Sequence, residues 1–150
     1  MPEGRHWLTM KEAFLHLTKE EKMKVFDDYN RAIETSDEDL LKKVFAPQVR
    51  LDVPAGATLN EPRDTAAHIM GQVGKVIARL KNALTADAGN DWYLLTFEGQ
   101  LDGESLQSVD QVHLDKQGQI DHLTLYMRPI AAAQKFSELI GKRLQPASAR

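Results

Sequence analysis

Residues Asp91 to Leu114 alternate apolar and polar side chains on both sides of an Asp102-Gly103 pair. An Asp-Gly pair between two alternating runs calls for a tight turn with φ above zero, and that turn sets how the two arms pair. Leu101 then faces Glu104, Gly99 faces Leu106, Phe97 faces Ser108 and Leu95 faces Asp110. One side of the hairpin reads Tyr93, Leu95, Phe97, Gly99 and Leu101, then Leu106, Ser108, Asp110, Val112 and Leu114. The other side reads Thr96, Glu98, Gln100, Ser105, Gln107, Val109, Gln111 and His113. A slip of one residue would turn the whole apolar set into water, so the register is strongly specified. The same phase carries a single carboxylate, Asp110, to the inner side. A carboxylate among leucine and valine loses solvation on ionising, which favours its neutral, hydrogen-bond-donating form.

The 150 residues are 42% hydrophobic and 27% charged, a composition that fits one globular domain with a real core. A net charge of -3 and the lack of a long Lys/Arg run give no footprint for nucleic acid or an anionic membrane. Zero cysteines exclude disulfides, zinc thiolates and a thiol nucleophile. Met1 to Trp7 lack the apolar core of a secretion signal, and no stretch approaches the ~20 apolar residues of a membrane span. A soluble cytoplasmic protein is expected. No His-x-His or Glu-x-x-His spacing suggests a metal, and no cofactor is expected.

Thr18-Lys19-Glu20-Glu21 has the form of a capping box and predicts a helix to about Thr35, preceded by a short amphipathic helix over 8–17. In the longer helix Met23, Phe26, Tyr29, Ala32 and Ile33 recur at helical spacing and form a core-facing stripe. Ser36-Asp37-Glu38-Asp39 reads as a second capping box, opening a helix through Phe45 that Pro47 stops. Val49, Leu51 and Val53 alternate with Arg50 and Asp52, predicting a short strand that turns Asp52 away from the apolar side. The segment through Asn60-Glu61-Pro62 reads as a loop. A helix is expected from Arg63 to about Leu80, with Gly71 and Gly74 weakening it and pointing to close packing. After the hairpin come a turn at Asp115-Lys116-Gln117-Gly118, a strand from Ile120 to Met127, Pro129, a helix over Ile130 to Leu144 and a frayed tail from Gln145 to Arg150. Helices, one strand, a helix, a three-stranded meander and a closing helix make an α+β pattern, with helices on one face of a strongly bent antiparallel sheet.

The run Tyr29-Asn30-Arg31-Ala32-Ile33-Glu34-Thr35-Ser36-Asp37-Glu38-Asp39-Leu40-Leu41, then Val44-Phe45-Ala46-Pro47 and Val49 to Pro54, resembles the start of the nuclear transport factor 2-like superfamily. Val109-Asp110-Gln111-Val112-His113-Leu114-Asp115-Lys116-Gln117-Gly118-Gln119-Ile120, followed by Tyr126-Met127-Arg128-Pro129, resembles the last two strands of its SnoaL-like branch, home of polyketide cyclases and ketosteroid isomerase-like proteins. The resemblance covers about residues 18–130. It implies a cystatin-like α+β barrel: a curved antiparallel sheet wrapped around the long N-terminal helix as a cone whose mouth admits a small, largely apolar molecule. It also implies a homodimer, and the C-terminal helix is an extra element.

Ketosteroid isomerase-like members pair a tyrosine on the first long helix with a protonated aspartate on the penultimate strand to stabilise an enolate oxygen. By spacing, Tyr29 and Asp110 match those two, so the resemblance makes them hydrogen-bond donors to an oxyanion. The base of those members falls at Val53 here and is missing. The Asp-Arg-Asp set of limonene-epoxide hydrolase-like members has no counterpart among the inward Leu123, Leu125 and Met127. None of the five histidines is directed inward, as scytalone dehydratase-like members would require. An acid beside a substrate enolate, as in the polyketide cyclases, is a role open to Asp110. The expected apolar walls are Phe26, Phe45, Val53, Phe97, Val112, Leu123, Leu125 and Met127. Plainer readings stand beside these: Asp110 as a structural acid bonded to Tyr29 or a buried water, and Tyr29 as a core aromatic. Two functions follow. One is a cofactor-independent binder, isomerase, cyclase or lyase for a small apolar or enolisable molecule. The other is a non-catalytic homodimeric interaction or carrier module, and under either reading the outer sheet face of Thr96, Gln100, Gln107 and Gln111 suits a wet dimer interface.

Overall fold

The computed structural model describes residues 17–145. Apart from Leu17, the helix expected over 8–17 lies outside these residues, as does the tail after Gln145. Helix α1, Lys19–Thr35, starts where the Thr18 hydroxyl accepts from the Glu21 amide at 3.1 Å, satisfying one of the donors a helix start leaves open. Its buried stripe is Phe26, Tyr29, Ala32 and Ile33. The second cap falls one residue later than expected. Ser36 ends α1 in the left-handed region at φ 58°, and Asp37 caps α2, Glu38–Val44, by accepting from the Leu40 amide.

Strand β1, Phe45–Asp52, begins before Pro47 because Phe45 already has extended backbone angles. Pro47 is tolerated there: it falls where the ladder to β6 shifts register, between Phe45 and Arg50. The expected loop is an edge strand, β2, Thr58–Pro62, antiparallel to β1. Leu59 is its one large apolar side chain, so no alternation announces it. The long helix expected over 63–80 is broken into α3, Arg63–Met70, and a single turn, α4, Val73–Val76. A Cβ on Gly74 would lie 2.5 Å from the Ile33 carbonyl oxygen, so α4 crosses the end of α1 at a distance that only glycine allows. From there the chain becomes β3, Ala78–Gly89, and Leu80 is a buried strand residue instead of a helical one. The Ala, Asn, Asp and Gly of β3 carry little strand propensity, which hid it.

Strands β4, Trp92–Leu101, and β5, Glu104–Leu114, pair as the turn dictates, with Leu95 opposite Asp110 and with Asp102 and Gly103 at φ 50° and 80°. Strand β6, Ile120–Arg128, follows a turn in which Asp115 Oδ1 accepts from the Gln117 and Gln119 amides. The sheet order is β2-β1-β6-β5-β4-β3. The meander therefore has four strands, β1 runs parallel to β6, and the curved sheet stays open between its edges β2 and β3. Helix α5, Ile130–Leu144, returns against the sheet and buries Ala132 and Phe136, while Ile130 at its start is 76% exposed. Among the described residues no helix is long and apolar enough to cross a membrane.

Candidate functional site

The buried stripe of α1 and the inward phase of β5 bring Tyr29 and Asp110 together. Tyr29 Oη donates to Asp110 Oδ2 at 2.7 Å, with the tyrosine fully enclosed and Asp110 4% exposed. Burial pushes the Asp110 carboxyl up to about 7, and the hydrogen bond from Tyr29 offsets only part of that. Burial also pushes Tyr29 well above its ordinary range, helped by the charge of Asp110 and by the hydrogen bond between them. Tyr29 thus stays a donor at neutral pH, while Asp110 becomes a carboxylic acid below it. With Oδ2 occupied by the tyrosine hydroxyl, the acid proton belongs on Oδ1, which has no hydrogen-bond partner among the described residues.

Asp110 faces a cavity of about 10 Å³, room for about one water. Among the residues in its wall, Asp110 and Ser108 are the polar ones, two positions apart on β5; Ile33, Phe97, Met127 and Phe136 belong to the apolar remainder. Tyr29 is not in that wall. The two groups expected to grip one oxygen side by side therefore stand in series. Tyr29 holds Asp110 by its hydrogen bond, and Asp110 belongs to the cavity wall.

Beyond Phe136 lies an apolar cleft of about 170 Å³, bounded by Val53, Pro54 and Leu59, by Ile69 of α3, and by Ile140 and Leu144 of α5. Met70, Val73, Leu125 and Phe136 belong to the walls of both voids. Larger hollows of about 650 and 410 Å³ open near the turn end of the hairpin among Lys81, Glu98, Gln107, Tyr126 and Arg128, but neither reaches Asp110. The 410 Å³ hollow shares Phe97, Ser108 and Met127 with the Asp110 cavity, so these three residues separate the enclosed acid from the outer hollow.

No protein-family model matches the sequence, and no curated protein does. Solved structures do. An uncharacterized protein conserved in bacteria, with a cystatin-like fold, from Silicibacter pomeroyi superposes with a TM-score of 0.76 at 21% identity, over 83% of this chain and 88% of that one. A steroid delta-isomerase from Pseudomonas aeruginosa gives 0.73 at 20% identity, over 82% and 90%. A nuclear transport factor 2-like protein of unknown function from Mesorhizobium loti gives 0.65 at 17% identity, over 76% and 98%. The chain has the nuclear transport factor 2-like fold. What is shared at these identities is the path of the backbone.

Within this fold the expected wall residues divide. Phe97 and Met127 line the Asp110 cavity, Leu125 lines both voids, and Val53, just past the end of β1, lines the cleft. Phe26, Phe45, Val112 and Leu123 line neither and pack in the core. Aromatic contacts fill the cone around them: the Phe26 and Tyr93 rings lie 4.4 Å apart, and those of Tyr29 and Phe45 lie 6.4 Å apart. Ser108, Phe136 and Gly141 escape the sequence reading as site residues. Ser108 leaves a faint signal, because it alone accompanies Asp110 as a hydrogen-bonding side chain among the inward residues of β5. Gly141 leaves another, a glycine inside an otherwise regular helix.

Asp52 faces outward as alternation predicts, but into a network. Its burial favours the neutral form, yet hydrogen bonds from His122 at 2.7 Å, Thr58 and Thr124 at 2.8 Å and Arg50 at 3.1 Å outweigh it and hold the carboxyl well below the usual carboxylate range. His113 pairs with Asp121 at 2.7 Å, and the Trp92 ring lies 4.8 Å from His113 and 5.2 Å from His122. His68 pairs with Glu38. Among the described residues no three His, Cys, Asp or Glu side chains gather as a metal site.

Proposed function

We propose that this chain is a cytoplasmic protein that binds a small apolar molecule bearing a carbonyl or enol oxygen, and that Asp110, held by Tyr29, donates the hydrogen bond that grips it. The observation that carries this reading is the buried Tyr29–Asp110 bond, with Asp110 also in the wall of a small, largely apolar cavity. Where water is excluded, a donor aimed at an oxygen that gains negative charge is worth far more than in solution, on the order of a hundredfold or more in rate. A fold that a steroid delta-isomerase also uses supports a guest that enolises. Val53 supplies no base, so any acceleration comes from stabilising the oxyanion, with the proton step left to another group or to the substrate. Titration calorimetry with tetralone, a fused bicyclic ketone, and tetralin, its hydrocarbon counterpart, tests the grip. The ketone should bind more tightly, and Asp110→Asn, which offers a weaker amide donor, should narrow the difference several-fold. Equal affinity for the two probes would overturn the role of Asp110.

The filled cone supports a second reading, a homodimeric interaction or carrier module in which Tyr29 and Asp110 are structural. Leu84, Leu94 and Tyr126 are exposed on the outer face, where Leu84, Thr96, Val109 and Tyr126 form one row across four strands. Such a row suits a second copy of the chain. Sedimentation equilibrium should give a dimer under both readings, and a monomer at micromolar concentration would remove the outer-face contact.

A further inference from the structure

We infer that the outer face of the sheet, near the turn end of the β4–β5 hairpin, carries a binding groove for a small amphipathic carboxylate, its anionic head among Arg79, Lys81 and Arg128 and its apolar body over Val109 and Tyr126. The groove is the pair of hollows of about 650 and 410 Å³, which share Glu98, Gln107 and Arg128 in their walls and match small-molecule sites in size. Gln107 and Val109 alternate to the side of β5 opposite Asp110, so the groove stands or falls independently of the reading that Asp110 grips an oxygen.

Strand register builds it. Lys81, Glu98, Gln107 and Arg128 are partners in turn across β3, β4, β5 and β6, so they form one outward row. Leu84, Thr96, Val109 and Tyr126 form the next row, two residues along β4, β5 and β6 and therefore about 7 Å away. A charged row beside an apolar row matches a molecule with a charged head on a flat apolar body. Three cations, Arg79, Lys81 and Arg128, and one carboxylate, Glu98, stand in the wall of the larger hollow, on a chain whose net charge is -3. Among the described residues the side chains of Arg79 and Lys81 have no hydrogen bond or ion pair, although Glu98 lies opposite Lys81. Arg128 Nη1 donates to Gln107 Oε1 at 2.7 Å, which holds a guanidinium whose remaining donors fit the two oxygens of a carboxylate. The surplus of positive charge favours a small anion over a second copy, because an identical face would bring the same three cations.

Arg79 supplies an independent observation. Its φ is 55°, in the left-handed region that costs a non-glycine residue stability, and it sits where the β3–β4 ladder shifts register between Ala78 and Lys81. An irregularity of this kind re-aims a side chain. A Cβ on Gly99 would lie 2.4 Å from Ile77 Cγ2 and 3.2 Å from the Ala78 carbonyl oxygen, so β3 is pressed onto β4 here and the irregularity is fixed in place. Glycine would take the same backbone without strain, yet the chain holds an arginine in the wall of the larger hollow.

The test uses the full chain in calorimetry with naphthoate, and with naphthamide as its uncharged counterpart. The carboxylate should bind about tenfold more tightly, an advantage that added salt weakens. Arg128→Gln should lower naphthoate affinity several-fold and leave naphthamide alone, and Glu98→Gln should raise naphthoate affinity several-fold. Arg79→Gly relieves the backbone, so its thermal unfolding midpoint should hold or rise while naphthoate affinity falls, a combination that a merely structural arginine would not give. Absence of naphthoate binding, equal affinity for the acid and the amide, or unchanged naphthoate affinity in Arg79→Gly and Arg128→Gln would overturn the inference. Displacement of naphthoate by tetralone would put the carboxylate beside Asp110, overturning the groove while leaving the grip intact. Affinity that drops as protein concentration rises would assign the groove to a second copy, which also overturns the inference.

Discussion

Asp110→Asn should change how the stability of the fold responds to pH. The carboxyl of Asp110 is raised from 3.8 to about 7 by burial, so across that interval the native state holds a proton that the unfolded chain has released. Its stabilising contribution is complete below the unfolded value and is lost as pH rises through about 7. The slope is about 1.4 kcal/mol per pH unit, which over the roughly two units from about pH 5 to pH 7 amounts to about 3 kcal/mol. Asparagine carries no such proton, and its side-chain oxygen can still accept from Tyr29. The assay is urea unfolding of both proteins from about pH 5 to pH 8 at one fixed protein concentration, because a dimer would add its own concentration dependence. Groups that titrate elsewhere cancel in the difference between the proteins. That difference should move by about 3 kcal/mol in favour of the variant as pH rises. A difference constant to within about 0.5 kcal/mol would show that Asp110 carries no proton near neutrality, and its role as a donor would go with it.

Tyr29→Phe removes the hydrogen bond that holds Asp110 down, so the acid should titrate at higher pH still, while the loss of a buried partner costs about 1–3 kcal/mol of stability by urea unfolding. Tetralone accepts but cannot donate, so its affinity should fall as pH rises above about 7, by up to tenfold per unit, whereas tetralin should bind alike throughout; a flat ketone profile would contradict a protonated Asp110. Val53→Asp places a carboxylate in the cleft wall, and slow isomerisation of an enone above the buffer rate is expected, measured by the change in ultraviolet absorbance. No rate above buffer would mean that the wall is too far from the reacting carbons.

The hairpin was legible because its signal is discrete. An Asp-Gly turn admits few backbone geometries, and period-two alternation then leaves one register, so Leu95 opposite Asp110 follows without any tertiary knowledge. The contact of Asp110 with Tyr29 lay within reach through the spacing of the resemblance. Strand β3 was not legible. Thr85 is its single β-branched residue, and its pairing with β4 contains three register shifts, so neither propensity nor period marks it. The helix over 63–80 failed for a related reason, since Val73, Ile77 and Leu80 keep a helical spacing although the first helix ends at Gly71 and the chain becomes a strand at Ala78. The cleft was hidden because it is made by the approach of α5 to α3 and the β1–β2 turn, and no local pattern encodes which helix face will be left open.

The Tyr29–Asp110 bond spans 81 positions of sequence and joins the first described helix to the fifth strand. The dry surroundings of the acid exist only once those distant pieces have met. In a weakly buffered solution near pH 6, each molecule should therefore draw about one hydrogen ion from the medium as it refolds, at the moment the helix seats on the sheet. A dye that changes colour with acidity would turn that uptake into a clock for the joining of the two halves.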